Sequence, residues 1–231
     1  MRRVGPIALA GVSACLGALG CGGGAAGGPT ACPALWSVTD SRGNPGLDVQ
    51  VADGALSIAA PLEADELISV SRESQLTGDF HAAFDFEAFS PGGASTYLHM
   101  TLDLDDPNLL DVPFVGSGVG VNDGETDVRA LLVYHDESRT RFDLVLTPAT
   151  SGTLLISRVG RSITLSASVP SGEAATLTAE VSDAPTRIGL QFANGSKDTP
   201  AGDASVRITD FRVTGGGGDV TTDHFDCDSL L

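Results

Sequence analysis

Asp85 and Glu87 stand two residues apart in the segment Ala83-Phe-Asp85-Phe-Glu87, so on an extended strand both carboxylates point the same way. Two carboxyl groups about 5–9 Å apart can serve as acid and base, or acid and nucleophile, on an acetal carbon. A solvated strand face yields the same pair with no chemistry at all. Downstream, Tyr97, His99, Thr101 and Asp103 repeat the spacing of two. They offer an aromatic ring beside an imidazole, a hydroxyl and a carboxylate, the mixture on which a polar ligand with an apolar face is held. Asp85, Glu87, Tyr97, His99 and Asp103 are therefore the candidate ligand-binding set, expected on one polar sheet face, with Asp85 and Glu87 as the catalytic candidates.

Acidic loops are the second chemical feature. Asp103, Asp105 and Asp106 cluster with Asn108 and Asp111, and Asp123 and Asp127 cluster with Asn122 and Glu125. Calcium takes six to eight oxygens, and such loops supply some of them. Neither has the spacing of an EF-hand, and Asp is in any case a common turn residue. No cofactor is expected beyond calcium at these loops. The histidines His81, His99, His135 and His224 show no paired metal-ligand spacing, and no Cys-x-x-Cys occurs. Gly116-Ser-Gly-Val-Gly120 is glycine-rich, but no helix pattern follows to make it a phosphate cradle.

The elements that must position these residues read as strands. Leu47 to Val51 and Ala55 to Ala59 flank Asp53-Gly54, the preferred chemistry of a tight hairpin. Phe80 to Phe89 alternates, with Phe84, Phe86 and Ala88 expected on one face; Tyr97 to Asp103 repeats this with Leu98, Met100 and Leu102 inward. Val128 to Tyr134 is nearly continuous apolar and predicts a central strand covered on both sides. Phe142 to Leu146, Thr153 to Ser157, Ile163 to Val169, Ala175 to Val181, Arg187 to Phe192 and Ser205 to Val213 complete about a dozen strands. No long helical period is present, although Pro61 to Leu67 is expected to make one helical turn. The expected architecture is all-β, two antiparallel sheets packed as a jelly-roll sandwich, with Trp36 in its core.

The N-terminus carries an export pattern. Arg2 and Arg3 precede an uncharged apolar run from Val4 to Gly20, too rich in Gly and Ala for a spanning helix, and Cys21 follows. This junction resembles the lipobox of bacterial lipoproteins, in which the cysteine is acylated and becomes the mature N-terminus. Val12-Ser-Ala-Cys15 is an alternative acylation site; Cys21 places a glycine-rich tether directly behind the anchor. Residues 1–20 are thus expected to be a signal peptide, 21–31 a tether, 32–214 the sandwich, and 215–231 a glycine joint with an acidic tail. Acylation at Cys21 leaves Cys32 and Cys227, a natural disulfide outside the cytoplasm. The resemblance implies a lipid anchor in the cell envelope, and Gly22 in place of a retention aspartate points to the outer membrane. Loss of Arg2 and Arg3 with the leader takes the formal charge from −17 to −19, which excludes nucleic acid and anionic lipid surfaces as partners.

Three segments resemble the concanavalin A-like lectin/glucanase jelly rolls, including laminin G-like domains. These are Leu76-Thr-Gly-Asp-Phe80 running into Ala82-Ala-Phe-Asp-Phe86, the turn Arg158-Val-Gly-Arg161, and Ile188-Gly-Leu190 followed by Ala204 to Val213. The resemblance spans Trp36 to Val213. It implies first and last strands side by side, and a partner that is a glycan or another cell-envelope polymer. Laminarinase-like members carry Glu-x-Asp-x-x-Glu on one strand; here the first acid is missing and the last is out of register. The expected role is therefore a non-catalytic carbohydrate-binding or surface interaction module, with a glycoside hydrolase using Asp85 and Glu87, or a purely structural envelope protein, as the alternatives.

Overall fold

The computed structural model describes residues 36–52, 54–72, 75–104, 114–122, 124–133, 140–181, 183–215 and 221–223. Cys15, Cys21, Cys32, Cys227, Asp105, Asp106 and Asp123 lie outside them, and so do the expected acylation and disulfide. The order of elements is β1 (Trp36–Asp40), β2 (Asp48–Ala52), β3 (Ala55–Leu62), β4 (Leu67–Arg72), β5 (Phe80–Ser90), β6 (Thr96–Leu104), β7 (Phe114–Asn122) and β8 (Glu125–Val133). There follow β9 (Arg141–Leu146), β10 (Gly152–Val159), β11 (Ser162–Ser168), β12 (Ala174–Glu180), β13 (Thr186–Asn194), β14 (Gly202–Gly215) and β15 (Thr221–Asp223).

Two antiparallel sheets form the sandwich. The front sheet runs β1-β4-β13-β6-β7-β8-β9, and the back sheet runs β12-β11-β10-β5-β14-β3-β2, with β15 added beside β14. The all-β, two-sheet expectation holds. Period-two alternation drives it: β11 buries Ile163, Leu165 and Ala167 and turns Ser162, Thr164, Ser166 and Ser168 outward. Trp36, Phe84 and Phe211 anchor the core from β1, β5 and β14. Phe84 and Phe211 stack at 4.5 Å between centroids, and Trp36 meets Phe211 edge-on at 5.1 Å. The expected hairpin is present, with Ala52 opposite Ala55 and Gly54 at φ 70°, a left-handed value that glycine adopts without strain.

Three local expectations are corrected. Pro61 to Leu67 makes no helical turn; Pro61 and Leu62 end β3 and Leu67 opens β4. Ala88 does not join Phe84 and Phe86 in the core. It sits exposed at φ 52° as the extra residue of a bulge, and Phe89 takes the inward place. The apolar run from Val128 is not a central strand covered on both sides. It is β8, next to the edge strand β9, and its Leu131 and Val133 lie on the outer face, half-buried.

Candidate functional site

The candidate ligand set divides between the sheets. Asp85 and Glu87 project from β5 on the back sheet, whereas Tyr97, His99 and Asp103 belong to β6 of the front sheet. The expected single polar face is thus two faces on opposite sides of the molecule. Alternation says which residues of a strand face outward, but not to which sheet the strand belongs.

On the back sheet the two acids are counter-ions. Both face β14, which carries Arg207 and Arg212 outward. Glu87 pairs with Arg207, and Asp85 pairs with Arg212, which also lies 3.3 Å from Asp210. Thr153 donates its hydroxyl to Asp85 at 2.7 Å. Burial alone would raise the Asp85 pKa, but the Arg212 and Thr153 hydrogen bonds outweigh it and hold the carboxyl below its ordinary value. Such a group stays ionised at neutral pH, the opposite of what a general acid needs. The acids line a shallow hollow of about 370 Å³ with Ser151, Thr153 and Ser168.

The front sheet offers a richer surface. Its outward side chains fall into three rows that cross the strands. The first is Ser71, Gly189, Thr101, Gly116, Leu131 and Phe142; the second is Ser69, Gln191, His99, Gly118, Arg129 and Leu144. The third is Leu67, Ala193, Tyr97, Gly120, Asp127 and Leu146. Strand β7 contributes only glycine to all three rows, and neighbouring side chains lie flat over it. A methyl group on Gly118 would come within 1.9 Å of the His99 ring, and one on Gly120 within 2.5 Å of the Arg129 guanidinium. Tyr97 and His99 stack at 4.5 Å between centroids. Asp127 is fully buried and accepts from Arg129 Nε and Nη2, each at 2.5 Å.

Beside the Tyr97–His99 stack lies a hollow of about 300 Å³ lined by Thr39, Ser69, Ser71, Thr101, Arg187 and Gln191. Gly189 also lines it. Hydroxyls, an amide and one guanidinium supply both donors and acceptors there. Thr39, Ser69, Ser71, Arg187 and Gln191 were not singled out from the sequence. A serine or threonine at every second position of β1 and β4 was the available signal.

Burial, and secondarily the charge of Arg129, pushes the His99 pKa down to about 3. The imidazole is therefore neutral in the folded state, while the unfolded chain takes up a proton below about pH 6.5. A depressed folded-state value gives stability that is complete above the unfolded pKa and declines as pH falls. The fold is expected to lose about 2 kcal/mol between pH 6 and 4 through this one group. His99→Gln should lack that component, which chemical denaturation across the pH range will measure.

Of the calcium candidates, Asp127 is spent on Arg129 and has no exposed oxygen. Asp103 lies on β6 opposite Arg187. Among the described residues no group of three or more His, Cys, Asp or Glu is placed to hold a metal ion.

No protein-family model matches the chain, and no curated protein sequence matches it either. Solved structures do. The legume lectin-like domain from Entamoeba histolytica aligns with a TM-score of 0.55 at 13% identity, covering 79% of this chain and 91% of that one. A glycoside hydrolase family protein from Mycobacterium thermorestibile aligns at 0.53 and 13% identity, covering 78% and 93%. LamAcat from Zobellia galactanivorans aligns at 0.53 and 12% identity, covering 76% and 88%. At such identities the likeness speaks for the fold alone. The chain has the concanavalin A-like lectin/glucanase jelly-roll fold, one shared by lectins and glycoside hydrolases.

Proposed function

We propose that the protein is a non-catalytic carbohydrate-binding module whose ligand lies on the outer face of the front sheet. The carrying observation is the juxtaposition of the stacked Tyr97–His99 pair with the hollow rimmed by Thr39, Ser69, Ser71, Thr101 and Gln191. A sugar ring has an apolar face and a girdle of hydroxyls, so it calls for a flat ring surface next to several neutral donors and acceptors. On the front sheet the half-buried Tyr97 ring, backed by the buried His99, would offer the first and the hydroxyls and amide of the hollow the second. The expected acylation at Cys21 would present this face from a membrane of the cell envelope, the outer membrane by the residue that follows the anchor.

A glycan array probed with the full chain should show retention of one class of saccharide. Tyr97→Ala is expected to weaken it about 10-fold, the scale of a lost ring contact with its area burial. Gln191→Ala should weaken it similarly, and Glu87→Gln on the back sheet should leave it unchanged. Cleavage of an oligosaccharide that Glu87→Gln abolishes would move the site to the back sheet and restore the glycoside hydrolase alternative. Indifference to every saccharide would leave the structural role.

A further inference from the structure

The front sheet ends on a strand, β9, whose outward side chains are apolar and exposed. Alternate residues of β9 point outward and leave Phe142 66%, Leu144 39% and Leu146 58% exposed. Leu131 and Val133 of β8 lie alongside them on the same face, half-buried. Between Asp127, which Arg129 neutralises, and the sheet edge, the described residues of this face carry no carboxylate. In a chain of formal charge −17 such a strip is where two like-charged bodies can meet with little repulsion. The edge of β9 away from β8 has no strand beside it among the described residues, so a row of backbone donors and acceptors faces outward.

We propose that β9 pairs antiparallel with β9 of a second copy of this chain, joining the two front sheets into one continuous sheet. Strand polarity and face fix the fit. A two-fold axis normal to the sheet keeps outward residues outward, and centring it on Phe142 places that ring against its own copy. Leu144 then lies opposite Thr140 of the second copy, and Arg141 opposite the second copy's Asp143. The last contact occurs twice by symmetry, so each strand supplies both charges of a reciprocal pair. Asp143 is held ready for it: Oδ2 accepts the Thr176 backbone N–H of β12 at 2.7 Å, which leaves Oδ1 for a second donor. The shared surface would set two copies of the Tyr97 face side by side, so a polymer touching both gains from effective concentration. The pairing itself does not depend on any ligand.

Sedimentation equilibrium of the full chain should show a concentration-dependent doubling of mass. Leu144→Lys and Phe142→Asp should shift the midpoint at least 10-fold toward monomer while leaving the circular dichroism spectrum unchanged, because both side chains are exposed. Arg141→Asp alone should also give monomer, and Arg141→Asp combined with Asp143→Arg should restore the dimer, since the swap keeps the pairs reciprocal. A chain that stays monomeric at about 100 µM overturns the proposal, as does a dimer indifferent to Leu144→Lys. A dimer lost with Leu144→Lys but not rescued by the charge swap overturns the register. A monomer that floats with phosphatidylcholine vesicles in a Phe142-dependent way would assign the strip to lipid and overturn it equally.

Discussion

Gly118→Ala is expected to destabilise the protein by about 3 kcal/mol, the upper end of what overpacking costs. The added methyl would lie 1.9 Å from the His99 ring and 2.5 Å from the Leu98 carbonyl oxygen. The ring can rotate only by leaving its stack with Tyr97, and the carbonyl belongs to the β6–β7 ladder and cannot leave. Thermal unfolding should fall by roughly 6–12 °C for a domain of this size. Gly118 is constrained by space rather than by backbone torsion, which separates it from Gly160. A methyl there meets nothing within 4 Å, and the φ of +57° is its sole obstacle. Gly160→Ala should therefore cost only about 1 kcal/mol. Equal losses at the two positions would mean that the His99 ring does not rest on β7.

Asp127→Ala should cost more, about 3–5 kcal/mol, because it leaves a charge without its counter-ion in a nearly closed setting. The carboxylate is fully buried and the Arg129 side chain only 15% exposed. Both carboxylate oxygens engage the guanidinium, so neither partner has a ready substitute. Removing both residues together should cost clearly less than the two single losses added, since the double variant strands no charge. Chemical denaturation of Asp127→Ala, Arg129→Ala and the double variant measures the coupling directly. A coupling under about 1 kcal/mol would show that the pair is incidental. The same arginine lies across Gly120 beside Tyr97, so on the proposed reading its release should also alter saccharide retention on the front sheet.

How much of this was legible in the sequence depended on the kind of information required. Alternation in β5, β6 and β11 assigned inward and outward residues, because burial imposes a period of two. The residue at which that period slips was hidden. Ala88 carries no mark of the left-handed conformation it adopts, and only the partner strand β14 reveals the mismatch. Strand β7 was missed because glycine at Gly116, Gly118 and Gly120 signals turns in isolation; at Gly118 and Gly120 the need for glycine comes from His99 and Arg129 on neighbouring strands. Sheet membership was missed for a similar reason. The chain crosses from the back sheet to the front between Ser90 and Thr96, and the step leaves no trace in strand composition. Tyr97, His99, Asp85 and Glu87 stood out by residue type, whereas Arg207 and Arg212, which pair with the two acids, did not. Those arginines lie more than 100 residues downstream, beyond any local pattern.

The glycine column of β7 restricts where novelty can arise. Between Gly116 and Gly120 that strand lends no side chain to the three outward rows, so on the proposed reading it offers no position there at which preference for one saccharide over another can be rewritten. On that same reading, adaptation toward a different polymer would have to proceed through Thr101 on one flank and Gln191, Ser69 and Ser71 beyond it. Laboratory evolution confined to those positions should recover altered selectivity, while libraries built at Gly118 and Gly120 should return few folded clones.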